Sequence, residues 1–184
     1  MRITIINSRY QDKEAIANAF VELVGKNSTY EIVDGNIELT HNYDDINQIN
    51  NLALSIEAET MERISCYTTI SSESNKRLID EVILAKKMLN LVSIGMYDIK
   101  SILKNVDNRF PKKEILEYIL EGSGIDETFI KVFAETDLNV SKAAKVLYLH
   151  RNTMLYKLEK LKSISDFDLR VFVDAYILYS LIEK

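Results

Sequence analysis

The sequence predicts an α+β protein, and three observations carry that prediction. Over the first hundred residues, short β-branched runs alternate with longer amphipathic runs in the order β-α-β-β-α-β. Beyond residue 97 the strand pattern stops and only helical periodicity remains. Near the C-terminus, residues 141–162 read as a short helix, a tight connection and a basic amphipathic helix, the pattern of a helix-turn-helix. The expected fold is a ferredoxin-like or nucleotide-cyclase-like sheet with its helices on one face, followed by an all-α unit.

The elements follow in order. Residues 2–7 are rich in β-branched side chains and predict a strand. Over residues 12–25, Ala15, Ile16, Ala19, Phe20 and Leu23 share one helical face, and Gly25 and Asn27 end the helix. Residues 29–33 and 36–42 form two strands joined through Asp34-Gly35, a strong hairpin signal. A second helix covers residues 44–61, with Ile46, Ile49, Ala53 and Ile56 inward and Asp44-Asp45 at its start, where acids suit the helix dipole. Residues 63–71 predict a fourth strand, 75–89 a third helix and 91–94 a short edge strand.

A helical connector comes next. Residues 97–105 form a short helix, and Pro111, the chain's one proline, opens another where it needs no N–H partner. Ile115, Leu116, Ile119 and Leu120 give that helix its apolar stripe, and Gly122-Ser123-Gly124 stops it. The expected division is a sheet module over residues 1–94, a connector over 95–122 and a helix-turn-helix domain over 123–184.

Within that last domain an opening helix is expected over residues 126–135 and a closing helix over 169–182. Ser141 is the expected N-cap of the first motif helix, which runs to about Leu147. Ala143-Ala144 lets two helices cross closely. The turn at Tyr148, Leu149 and His150 has no glycine, a departure from the usual signature. In the second motif helix Met154, Leu158 and Leu161 recur at i, i+4 and i+7 and predict a buried stripe. Asn152, Thr153, Tyr156 and Lys160 then share the opposite face, with Lys157 at its edge and Arg151 at the entrance. Arginine and asparagine can read guanine and adenine edges, while threonine, tyrosine and lysine suit phosphates.

Charge points the same way. Residues 139–164 hold six basic side chains against Glu159 alone, a local +5 in a chain of net −5, so the remainder carries −10. An acidic protein with one basic island focuses its positive field there.

The run from Asn139 to Leu158 resembles the C-terminal DNA-binding domain of the PucR/CdaR regulators, bacterial transcription factors of purine and sugar-diacid catabolism. Their signature reads approximately Asn-hydrophobic-Ser-x-Ala-Ala-x-x-Leu-x-hydrophobic-His-Arg-Asn-Thr-hydrophobic-x-Tyr-Arg-Leu. A weaker similarity, in the Ala-Ala pair and the Arg-x-Thr helix start, links the same helices to the nucleoid protein Fis. The resemblance implies DNA contacts from His150, Arg151, Asn152, Thr153, Tyr156 and Lys157; Ser141 and Lys160 complete the expected DNA-binding set. Two positions depart: Leu155 stands where the family usually has arginine, and Lys157 replaces another arginine, keeping its charge without the bidentate fork. The family also often carries a degenerate cyclase-like domain before its DNA-binding domain. Here the hairpin reads Val33-Asp34-Gly35-Asn36 and lacks the paired acids of active diguanylate cyclases, so cyclase activity is not expected.

Other chemistry finds little footing. Cys66 and His41 are the only nucleophile–base pairing to weigh, and a lone strand cysteine usually packs as a small hydrophobe. One cysteine and two histidines make no convincing zinc site, and no phosphate-binding glycine loop occurs. No catalytic residue, metal or cofactor is expected. A single cysteine excludes an internal disulfide, and no apolar run reaches 18 residues. The expected location is cytoplasmic, nucleoid-associated when DNA-bound. Expected partners are double-stranded DNA, a second copy of the chain, because the closing helix is apolar nearly all round, and a small-molecule or protein effector at the N-terminal module, with no membrane. The competing readings are an α/β enzyme or small-molecule-binding protein whose C-terminal helices merely pack, and a signalling adaptor with vestigial DNA binding.

Overall fold

A computed structural model describes residues 1–25, 27–43, 45–70, 76–92, 95–104 and 106–182. The chain forms two compact units, Met1–Asn105 and Val106–Lys184.

The first unit contains β1 (Arg2–Ser8), α1 (Lys13–Val24), β2 (Thr29–Val33), β3 (Asn36–His41), α2 (Ile46–Thr60), β4 (Ile64–Thr68), α3 (Lys76–Leu89), β5 (Met96–Tyr97) and α4 (Ile99–Leu103). The strands form one sheet in the order β2-β3-β1-β4-β5. β1 lies antiparallel to both β3 and β4, β2 to β3, and β5 adds parallel to β4. The first four strands thus have the ferredoxin-like arrangement, with β5 as an added edge. The Asp34-Gly35 turn closes the β2–β3 hairpin with both residues at positive φ, 50° and 77°, as a two-residue type I′ turn requires. Asp45 caps α2 by accepting from the Asn47 and Gln48 amides.

The two faces of the sheet carry different chemistry. Ile6, Ile37, Leu39, Ile64 and Cys66 form one core with Ile16, Ala17 and Phe20 of α1 and Ile49, Ala53 and Ile56 of α2. At one end of that face Thr4 bonds both His41 Nε2 (2.8 Å) and Thr68 (2.9 Å), while His41 Nδ1 accepts from the Tyr43 amide (3.1 Å). Residues that alternate to the other face meet α3: the Tyr67 hydroxyl donates to Glu81 (3.0 Å), and Lys86 pairs with Glu38. The helices therefore cover both faces, not one. The sequence of α3 explains this, because Leu78, Val82, Ala85, Met88 and Leu89 give it an apolar stripe that needs its own surface.

Two further differences concern boundaries. The edge strand expected over residues 91–94 is found at β5, Met96–Tyr97, and positions 93 and 94 lie outside the described residues, as do the expected element ends at 44, 71, 75 and 105. The connector expected over residues 95–122 is shared between the units, since β5 pairs with β4 while α5 (Lys112–Leu120) packs on α8 (Arg151–Ser165) and α9 (Phe172–Leu181). Burial of Ile115, Leu116 and Ile119 makes α5 part of the second core.

The second unit holds α5, α6 (Glu127–Glu135), α7 (Val140–Val146), α8 (Arg151–Ser165) and α9 (Phe172–Leu181). Its core gathers Ile119, Ile130, Phe133, Ala143, Met154, Leu158, Leu161, Phe167 and Leu178, all buried. The fold is α+β, with a sheet unit followed by a helical one. Among the described residues no helix is long and apolar enough to cross a membrane.

Candidate nucleic-acid interface

The interface is built on α7, its turn and α8. Asn139, not Ser141, caps α7: its Oδ1 accepts from the Ser141 and Lys142 amides, both at 3.0 Å. The helix consequently starts two residues early, at Val140, and Ser141 is left exposed at the second position of its first turn. Asparagine caps as well as serine does, so the earlier residue captured the free amides. Ala143 and Ala144 are buried where α7 meets α8, and their small side chains permit that close approach.

The turn ends α7 by a Schellman arrangement. The Leu149 amide donates to Ala144 O (2.8 Å) and the Tyr148 amide to Lys145 O (3.3 Å). This geometry needs a left-handed residue, and Tyr148 supplies it at φ 54° in place of the usual glycine. The residue is 97% exposed.

His150 caps α8. Its Nδ1 accepts from the Asn152 amide at 3.2 Å, which leaves Nε2 as the ring's remaining polar atom. Met154, Leu158 and Leu161 are fully buried, as their spacing predicts, and Arg151, Asn152, Thr153 and Tyr156 are exposed. Leu155 and Lys160 are half-buried.

The basic island divides in two. Lys142 pairs with Asp137 (3.1 Å), Lys162 with Asp168 (3.2 Å), and Lys157 folds back onto the Gly124 carbonyl. The side chains of Lys145, Arg151 and Lys160 make no hydrogen bond or ion pair to any described residue. Glu159, the island's one acid, is engaged by Arg170 Nη1 at 2.6 Å. Arg170 also grips Asp168, whose carboxyl is held well below the ordinary carboxylate range chiefly by that bond. Asn139, Tyr148 and Arg170 are thus the parts of this surface that sequence reasoning missed. Asn139 stands where a cap belongs, and the Asp168-x-Arg170 spacing suits a local clasp, so both left a trace.

Elsewhere, the Cys66 thiol lies 2% exposed in the sheet core. Burial, reinforced by Glu57, pushes it far above the ordinary thiol range, the opposite of what a nucleophile needs. His41 spends its ring nitrogens on Thr4 and the Tyr43 amide. Among the described residues no group of three or more His, Cys, Asp or Glu side chains is placed to hold a metal ion.

A helix pair joined by a Schellman turn, with the second helix presenting Arg, Asn, Thr and Tyr outward, defines a helix-turn-helix DNA-binding module. More specifically, residues 128–182 match the family model described as the PucR C-terminal helix-turn-helix domain. The chain therefore carries a DNA-binding module of the PucR type, the kind used in transcription regulation. No curated protein matches the chain. Among solved structures it is similar to the crystal structure of a regulator of polyketide synthase expression from Bifidobacterium adolescentis. That similarity has 15% identity and a TM-score of 0.47, covering 98% of this chain and 77% of that one. Likeness at this level is too low to carry function from one protein to the other.

Proposed function

We propose that this protein is a non-catalytic, sequence-specific transcription regulator of PucR/CdaR type, which acts from the cytoplasm by laying α8 in the major groove of DNA as a homodimer. One observation carries the reading. The first turns of α8 leave Arg151, Asn152, Thr153 and Tyr156 exposed while Met154, Leu158 and Leu161 anchor the same helix in the core. The side chains that discriminate base edges thus sit at the N-terminal end of the second helix, the end that helix-turn-helix proteins bring to the bases. Arg151 and Asn152 read bases; Tyr156, Lys160, Lys145 and the hydroxyls of Ser141 and Thr153 hold phosphates. His150 serves both as the cap that orders this turn and, through Nε2, as a donor to the backbone. Lys157 joins the DNA contacts on release from the Gly124 carbonyl.

The test is fluorescence anisotropy with labelled duplex selected from random DNA, repeated over a salt series. The expected result is binding whose logarithmic affinity falls linearly with log salt, at a slope of about −0.9 per phosphate contacted. Salt-independent binding, or none to any selected duplex, overturns the reading.

A further inference from the structure

We propose that the first unit binds a phosphorylated small molecule in a cavity of about 470 Å³, with its phosphate held between Arg9 and Arg63. Sheet topology brings these two side chains together. β1 and β4 run antiparallel with Asn7 opposite Ser65 and Ser8 opposite Ile64. The chain therefore leaves β1 and enters β4 at the same end of the sheet, and Arg9 follows one strand as Arg63 precedes the other. Both line the cavity.

Like Arg151 in the other unit, both side chains lack a partner among the described residues. Arg109 is spent on Asp107, and Arg170 on Asp168 and Glu159. Arg9 and Arg63 are exposed and make no ion pair or hydrogen bond to any described residue. Glu62 is the one acid in the lining, against two guanidiniums. Two like charges around one cavity repel, and a dianion between them converts that repulsion into attraction on both sides.

The remaining lining selects the ligand's chemistry. Asn7 and Ser65, paired across the strands, bring an amide and a hydroxyl to the cavity, and Leu89 at the end of α3 gives it an apolar wall. A phosphate monoester carries nearly two charges and three acceptor oxygens, enough for two guanidinium forks and a further donor. A single carboxylate is saturated by one fork. The volume falls within the range of about 300–1,000 Å³ typical of small-molecule sites. The site lies wholly in the sheet unit and does not depend on the DNA-binding reading.

The experiment is isothermal titration of the full chain with inorganic pyrophosphate at fixed ionic strength, with malonate as the dicarboxylate comparison. Saturable binding at one site is expected, with malonate weaker. Arg9→Gln and Arg63→Gln should each weaken pyrophosphate about tenfold, and the fork-less Arg63→Lys should weaken it too. Both arginines are exposed, so the melting temperatures of these variants without ligand should match the parent's. Arg151→Ala should bind pyrophosphate unchanged, because its charge serves the other unit. No binding up to millimolar pyrophosphate, full affinity in the Arg9→Gln/Arg63→Gln double variant, or loss in Arg151→Ala overturns the site. Equal affinity for malonate overturns its assignment to phosphate.

Discussion

Arg170 closes on Asp168 through two parallel bonds, Nε to Oδ1 and Nη2 to Oδ2, both at 2.8 Å. The same guanidinium reaches Glu159 on α8, Lys162 of α8 bonds the far oxygen of Asp168, and the Asp168 amide donates to Asp174 of α9 (2.8 Å). The clasp therefore ties the outer half of α8 to α9 and fixes the helix that presents Arg151.

Breaking the clasp should loosen both stability and recognition. Arg170→Ala leaves the largely buried Asp168 carboxylate without its main partner, and charged hydrogen bonds of this kind are worth about 1.5–3 kcal/mol. Chemical denaturation of the variant should show a loss of that size, with weaker DNA binding. The pH dependence has a definite sign. The Asp168 pKa is depressed in the folded chain below its ordinary 3.8, so its contribution is fully present above the ordinary carboxylate range. It is lost as pH falls below that range toward the folded value. Stability of the parent measured from pH 6 downward should fall more steeply than that of Asp168→Asn, and parallel curves would refute the assignment.

Arg151 and Lys160 should fail differently. A bidentate base contact is worth about 1–3 kcal/mol of discrimination, so Arg151→Ala should weaken a selected site by that amount and relax preference at one base pair. The Lys160 ammonium has no partner among the described residues, and the residue is half-buried. Its replacement by alanine should weaken all sequences alike and reduce the salt slope by about one phosphate. Anisotropy titrations against selected and scrambled duplexes separate the two patterns.

The outer face of α9 should hold a second copy of the chain. Phe172 and Tyr176 stack with centroids 6.3 Å apart while 72% and 63% exposed, and Val171 and Val173 are about half exposed beside them. So much contiguous apolar surface is unusual without a covering partner. Two recognition helices set about 34–36 Å apart would also read a longer site than one helix can. Light scattering at micromolar concentration should give a dimer for the parent and a monomer for Phe172→Glu, with reduced affinity for two-half-site DNA. A monomeric parent, with and without DNA, would refute the dimer.

What was legible in the sequence follows from how local its causes are. The Asp34-Gly35 hairpin, the stripe of Met154, Leu158 and Leu161, and the exposed Arg151–Thr153 turn depend on periodicity and turn chemistry within a few residues. The side of the sheet taken by α3 was not legible, because it depends on Tyr67 and Glu38 alternating away from the first core to meet Glu81 and Lys86. The cap of α7 was misplaced because Asn139 and Ser141 both cap well, and only the observed backbone decides between them. The absence of glycine in the turn concealed a left-handed residue at Tyr148, which the Schellman bonds impose against its own preference. The engagement of Lys157 by Gly124 joins residues 33 positions apart, beyond the reach of any local pattern.

Leu155 offers a gain-of-function test. Successive helix positions lie about 100° apart, so Leu155 falls between the buried Met154 and the exposed face of Asn152 and Tyr156. Its half-buried side chain fits that border. An arginine stem can cover the same apolar surface while the guanidinium reaches outward to DNA. Leu155→Arg should therefore fold with an unchanged melting temperature and bind generic duplex more tightly. Its salt slope should steepen by about 0.9 for the added phosphate contact. Were Leu155 instead part of the core, the same change would bury a charge and lower the melting temperature clearly. One melting curve and one salt titration distinguish the two outcomes, and a destabilised variant with no gain in affinity would place Leu155 with the core rather than the groove.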